Sequence, residues 1–260
     1  MDRNIESLIK EFKIIANKGW IKSISKSTGS IGITFENELK KKPDNKYLPD
    51  YKNIEIKCTS AYNLYPITLF SLAFEGPSIH EINRIVEKYG HYDKTYKNKK
   101  ILFANINNNA PTIINRKYIF KLDIDEKEKK LYLCVYDLFN NLVERESYID
   151  INTVYKHINI KLRKLAIIHG TNKIKDGNRY FKYNKINIYK LDNTEKLILA
   201  LQDGIITAQL VVNINKSGLR KGKLRYKNLT FLLKKDCINK VFDKVYEYNV
   251  NCAFSTNYYQ

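Results

Sequence analysis

From residue 54 to residue 58 apolar and polar side chains alternate, and that alternation constrains this chain more than any other feature it carries. In a strand, Ile54, Ile56 and Cys58 point to one face while Glu55, Lys57 and Thr59 point to the other. The apolar face must pack; the charged face is left for chemistry. Asp50 lies just upstream, after Pro49, which cannot donate to a ladder and suits the start of a strand. Its carboxylate is expected close to that of Glu55. Two carboxylates and an amine around one divalent cation are what metal-dependent phosphodiester cleavage requires. An Asp followed by Glu-x-Lys also arises by chance in many soluble chains, so the surrounding sequence has to decide.

That surrounding sequence carries a resemblance. Upstream are Gly19-Trp20 and Thr28-Gly29-Ser30-Ile31-Gly32-Ile33-Thr34-Phe35-Glu36. Downstream, after Ile54-Glu55-Ile56-Lys57, come Lys161-Leu162-Arg163-Lys164-Leu165-Ala166, then Tyr180-Phe181-Lys182-Tyr183-Asn184, then Ser217-Gly218-Leu219-Arg220-Lys221-Gly222-Lys223. In this order the segments resemble the MvaI/BcnI restriction endonucleases, in the MutH-like branch of the PD-(D/E)XK nucleases. The resemblance covers most of the chain and is more specific in the catalytic half than in the DNA-reading half. It implies an α/β fold with a mixed central sheet flanked by helices, and two lobes forming a DNA-binding cleft. The expected division is a catalytic lobe over 1–172 and a DNA-recognition lobe over 173–260. Carried over residue by residue, the family's active site corresponds to Glu36, Asp50, Glu55 and Lys57. Mg²⁺ would be held by Asp50 and Glu55, with the backbone carbonyl of Ile56 as a further ligand.

Composition narrows the partner. The 260-residue chain is 43% hydrophobic, enough for a sizeable core, and has a formal net charge of +19. Such an excess points to a polyanion, as phosphate backbones attract cations without regard to sequence. Lys, Asn, Ile and Tyr all have A/T-rich codons, which accounts for part of the charge but not for its clustering. Six cations, Lys216, Arg220, Lys221, Lys223, Arg225 and Lys227, fall within twelve residues with no acid among them. A run of this kind is often a solvated hairpin tip. Here it matches the position of the family's sequence-reading hairpin, which makes these six and Tyr226 the expected DNA contacts. Relatives tend to carry histidines after that loop, where this chain has Arg225-Tyr226-Lys227.

Other chemistries are disfavoured. Cys58, Cys134, Cys237 and Cys252 form no paired spacing, so neither a zinc site nor a disulfide framework is expected. His80, His91, His157 and His169 are scattered without metal-ligand spacing. No nucleotide-binding glycine pattern and no long apolar run is present. A bacterial cytoplasmic protein is expected.

Local signals predict the remaining elements. Ile5, Leu8, Ile9, Phe12 and Ile15 recur at helical spacing ahead of Gly19, predicting a helix over 4–18. Thr34 is expected to cap a second helix, with Glu36 and Glu38 in its first turn, Lys40 to Lys42 in its last and Pro43 beyond. A strand follows over 67–74. Ser78 and Glu81 form a capping-box pair for a helix striped by Ile79, Ile82, Val86 and Tyr89. Residues 92–100 read as a basic loop near DNA, and 101–106, 118–125 and 131–136 as strands. A helix over 152–163 precedes a buried strand at 165–168. A helix over 194–202, strands over 205–215 and 224–233, and a helix over 236–245 complete the chain, with 246–260 an edge strand or packed tail.

The reading is a type II restriction endonuclease cutting double-stranded DNA at a short site, CCNGG-like by resemblance, to leave 5′-phosphates. It is expected to act as a monomer alongside a cognate DNA methyltransferase. The alternatives are a MutH-like nicking enzyme of mismatch repair, a catalytically silent DNA-binding module and an RNA-binding protein.

Overall fold

The computed structural model of the protein describes residues 2–40, 48–60 and 65–250. Helix α1 (Arg3–Asn17) is capped by Asp2, whose carboxylate accepts from the backbone N–H groups of Asn4 and Ile5. Strand β1 (Ile21–Lys22), helix α2 (Ser30–Glu38) and strand β2 (Glu55–Ser60) follow. Then come β3 (Ile67–Leu72), α3 (Glu81–Tyr89), β4 (His91–Tyr92), β5 (Lys100–Ile106) and β6 (Ile113–Ile114). Strands β7 (Tyr118–Asp125), β8 (Lys130–Tyr136) and β9 (Leu142–Asp150) form a meander before helix α4 (Ile151–Lys161). The last part holds β10 (Lys164–Lys175), β11 (Asn178–Lys190), α5 (Glu195–Gln202), β12 (Ile206–Ile214), β13 (Leu224–Tyr226) and β14 (Leu229–Leu233). A single 3-10 turn leads into α6 (Ile238–Val241) and β15 (Asp243–Asn249). No helix among the described residues is long and apolar enough to cross a membrane.

These elements form two units, each drawn from separated stretches of chain. The first comprises Met1–Tyr65, Ile158–Asp192 and Asn239–Gln260; the second comprises Pro66–His157 and Asn193–Ile238. Position 172/173, the expected lobe boundary, lies inside β10, and the β10–β11 hairpin belongs wholly to the first unit.

In the first unit the sheet runs β1-β11-β10-β2, with β15 also on β11. Among the described residues only β2 and β10 pair in parallel there; the other pairs are antiparallel. Ile5, Leu8, Phe12 and Ile15 of α1 pack with Phe35, Ile56, Ala166, Ile168 and Ile188 in one core. Each of these side chains except the small Ala166 contributes roughly 1.5–3 kcal/mol by leaving water. In the second unit one sheet runs β3-β14-β12-β5-β4, with β13 on β12, and another runs β6-β7-β8-β9. There α3 is tied to β9 by a buried polar network: Arg84 donates to both Glu81 and Glu144, Ser147 donates to Glu81, and Lys88 and Tyr89 reach Glu144. Burial alone would raise the Glu144 carboxyl, but hydrogen bonds from Arg84, Lys88 and Tyr89 prevail and hold its pKa at about 2.

Four local expectations are corrected. Helix α2 begins at Ser30 with Gly29 at its cap position, and Thr34 is buried inside it. Its start is set by packing of Ile31 and Phe35 on the core, so Glu36 falls in the second half of the helix. Lys41, Lys42 and Pro43 lie outside the described residues. Helix α3 begins at Glu81, which leaves Ile79 98% exposed, although Glu81 still accepts from the Ser78 N–H at 3.2 Å. The strand expected over 224–233 is two: β13 pairs with the end of β12 and β14 with its beginning. The helix expected over 236–245 ends at Val241, because Tyr246 and Tyr248 alternate into the core of the first unit as β15 pairs with β11. Cys252 and the rest of 251–260 lie outside the described residues.

Candidate active site and nucleic-acid interface

The charged cluster is built where β2 begins. Tyr51 and Ile54 exchange backbone hydrogen bonds of 2.9 and 2.8 Å, closing a tight turn in which Lys52 adopts φ +53°. That turn folds Asp50 back along the strand. Among the described residues β2 is paired with β10 on one side only, so an outward backbone donor needs another acceptor. Asp50 supplies it: its Oδ2 accepts from the Ile56 N–H at 3.0 Å.

Glu55 and Lys57 share a face of β2, as the alternation requires, but the face is not open. Glu55 is 2% exposed. Its Oε1 lies 2.6 Å from Lys57 Nζ and 3.8 Å from Lys161 Nζ, while its Oε2 is buried without a hydrogen-bond partner among the described residues. An atom of this kind is costly to bury unless a further group binds it. Lys161 was not anticipated as part of this cluster. It sits in the last turn of α4, three residues before β10 starts, and Leu165 of β10 pairs with Glu55 in parallel.

Glu36 reaches the same strand from α2. A Cβ built on Gly32 would be in ordinary contact with both Glu36 Oε1 at 3.8 Å and Cys58 Cβ at 3.9 Å, which places the Glu36 carboxylate beside the strand. Burial pushes the Cys58 thiol well up, and the charges of Glu36 and Asp50 push it further against the pull of Lys57. Asp50, Glu55 and Lys57 thus meet at the start of β2 around the backbone of Ile56, and Glu36 lies beside Cys58 of the same strand.

A metal can be tested against this set. Among the described residues no three His, Cys, Asp or Glu side chains gather as a metal-holding group. Mg²⁺, however, is usually held by one or two carboxylates, waters and substrate phosphates rather than by a full protein cage. Asp50 and Glu55 offer hard oxygens, and the unpartnered Oε2 of Glu55 is a ligand atom without another use. The donors fit a small divalent cation.

The basic hairpin lies in the second unit, between β12 and β13. Its loop is closed by Gly222 N–H to Asn215 O at 2.8 Å and Lys223 N–H to Arg220 O at 2.9 Å. Gly218 and Gly222 take φ +73° and +77°, which side chains rarely adopt. Lys216, Arg220, Lys221, Lys223, Arg225, Tyr226 and Lys227 are all exposed. The loop before β5 braces them: Lys99 Nζ donates to Gly222 O at 2.5 Å, and a Cβ on Gly222 would meet the Tyr96 ring at 3.2 Å. No sequence motif signalled this brace, because its partners are 123 residues apart.

Comparison with known proteins gives a consistent picture. A family model described as the MvaI/BcnI restriction endonuclease family matches residues 9–242. The solved structure of a restriction endonuclease MvaI–cognate DNA substrate complex is 24% identical, covers 96% of this chain and 99% of that one, and superposes with a TM-score of 0.84. The structure of MvaI in the absence of DNA is 25% identical, covers 94% and 98%, and gives a TM-score of 0.58. None of the curated proteins compared matches the chain.

Proposed function

The chain belongs to the MvaI/BcnI restriction endonuclease family, and from that membership we propose that it is a type II enzyme hydrolysing both strands of double-stranded DNA at a short site. The observation that carries the chemistry is the buried Glu55, held by Lys57 at 2.6 Å and keeping one oxygen without a partner, beside the Asp50 carboxylate bound to the Ile56 N–H. The first unit then does the chemistry of a PD-(D/E)XK nuclease, and the basic hairpin of the second reads the bases.

In this mechanism Lys57 holds the attacking water and offsets phosphate charge, while Glu55 fixes the lysine in place. Asp50, positioned through the Ile56 N–H, and Glu55 would hold Mg²⁺ together with the Ile56 carbonyl; when bound, the ion supplies Lewis-acid stabilisation of charge developing on the phosphate. Glu36 orients the cluster from the α2 side or holds a second ion. The new P–O bond forms in line as the P–O3′ bond breaks, leaving a 5′-phosphate and a 3′-hydroxyl. MvaI is seen with its cognate DNA substrate; for this chain the hairpin's arginines favour a G-containing, CCNGG-like site. The protein would work as a monomer in the bacterial cytoplasm, with a methyltransferase protecting host sites.

The test is the purified protein alone on unmethylated plasmid. Double-strand cuts with Mg²⁺ or Mn²⁺, none in excess EDTA, 5′-phosphate ends on sequencing and a loss of about 10² or more in Lys57→Ala are expected. Cutting in EDTA, or a fully active Lys57→Ala, would remove the assignment; nicks alone would favour the repair-type enzyme.

A further inference from the structure

Strands β10 and β11 run on beyond the part of the sheet that carries the carboxylates, and the extension is a ribbon of cations. The register shift between His169 and Gly170 places the extra residue, Asn184, on β11, so β10 keeps its own alternation throughout. Lys173 and Lys175 therefore share the face of Ile167, which pairs with Lys57. Direct pairing adds Lys182 opposite Thr171, Tyr180 opposite Lys173, and Lys22 of β1 opposite Tyr180. Asp176, at the turn, is the only acid between residues 164 and 190. Among the described residues none of these four lysines forms an ion pair. Lys173 instead lies 4.3 Å over the ring of Trp20, which is 40% exposed.

We propose that this ribbon is a second phosphate clamp, built into the catalytic unit and holding the duplex backbone at a set distance from the cleaved bond. It rests on the nuclease reading above. The distance follows from strand geometry: six residues from Ile167 to Lys173 span about 20 Å, and eight to Lys175 about 26 Å. At ~3.4 Å per base pair that reaches roughly six to eight base pairs along the flank. Because β10 pairs directly with β2, the spacing is set by one continuous strand and not by a loop.

Trp20 is the chain's single tryptophan, so its emission reports on the ribbon alone. The experiment titrates the full-length protein with an end-labelled duplex of roughly 40 base pairs, long enough to pass the ribbon on either side, and with duplexes shortened from each end in turn. Label anisotropy gives binding and Trp20 emission gives occupancy of the ribbon. Expected are a change in Trp20 emission with the long duplex, its loss once one flank is trimmed below about six base pairs, and, in Lys173→Gln/Lys175→Gln, a slope of log K against log salt lowered by about 0.9 for each lysine. Tight binding with unmoved emission, or an unchanged salt slope in the double variant, overturns the clamp while leaving the nuclease intact. A protein that binds no duplex overturns both.

Discussion

Replacing Glu55 by Gln removes one buried charge from the candidate active site while keeping the side chain's volume. Without metal, Glu55 has one oxygen 2.6 Å from Lys57 Nζ and the other without a partner. An unsatisfied buried polar atom costs about 1–3 kcal/mol, and desolvation of the charge adds to that. The pairing with Lys57, whose side chain is 27% exposed, returns on the order of 1 kcal/mol. Glutamine keeps an acceptor for Lys57 and drops the charge, so Glu55→Gln should unfold within about 1 kcal/mol of the wild type when no metal is present. Divalent cations should then separate the two proteins. A ligand at 100 times its Kd stabilises by about 2.7 kcal/mol, which at ~2–4 °C per kcal/mol raises the midpoint by roughly 5–11 °C. The wild type should show that rise in thermal unfolding with Mg²⁺ or Ca²⁺ and no DNA, and Glu55→Gln should show little of it. Equal rises in both would refute the ligand assignment. A metal-free midpoint lowered by more than about 8 °C in the variant would mean that the carboxylate holds the fold together.

Two further predictions concern the second unit. Arg220→Ala or Arg225→Ala should cost roughly 1–3 kcal/mol and relax one position of the site in a cleavage profile on a randomised-site library, whereas Lys221→Ala or Lys223→Ala should weaken all sequences alike and flatten the salt dependence. Uniform loss in the arginine variants would make the hairpin a backbone clamp. Glu144, with a folded pKa of about 2 against an ordinary 4.5, contributes stability that is fully present above about pH 4.5 and is lost as pH falls towards 2. Arg84→Met should therefore destabilise by about 3–5 kcal/mol at pH 7, and urea unfolding at about pH 3 should show a smaller difference; a gap that did not change with pH would refute the network's role.

The parts of the site that were legible in the sequence are the local ones. Alternation over 54–58 set the faces of β2, and the Pro49-Asp50 step brought its carboxylate to the strand's open edge. Lys161 was not legible in this role, because it meets Glu55 only through the parallel pairing of strands more than a hundred residues apart. Strand β9 is not legible for a related reason: its inward positions include Glu144 and Ser147, which break the apolar alternation and are satisfied by Arg84, Lys88 and Tyr89 of α3. The far half of β10 carries the polar run Thr171-Asn172-Lys173, which resembles a loop until β11 pairs with it. Helix α2 starts ahead of the capping signal at Thr34, because burial of Phe35 and Ile31 outweighs that signal.

Register ties the core of the first unit to its chemistry. Ile56 and Cys58 face the core that α1 and α2 cover, so a slip of one residue along β10 would bury Lys57 in that core and turn Ile56 to the charged face. The apolar residues that look merely structural therefore hold Glu55 and Lys57 on the correct side, opposite Leu165 and Ile167. Asp50 reinforces the same register from the other edge, since its bond to the Ile56 N–H exists only while Ile56 points as it does. The metal-ligand candidates and the strand's packing are thus set by a single choice of pairing, the one that buries Glu55 with an oxygen unpartnered among the described residues.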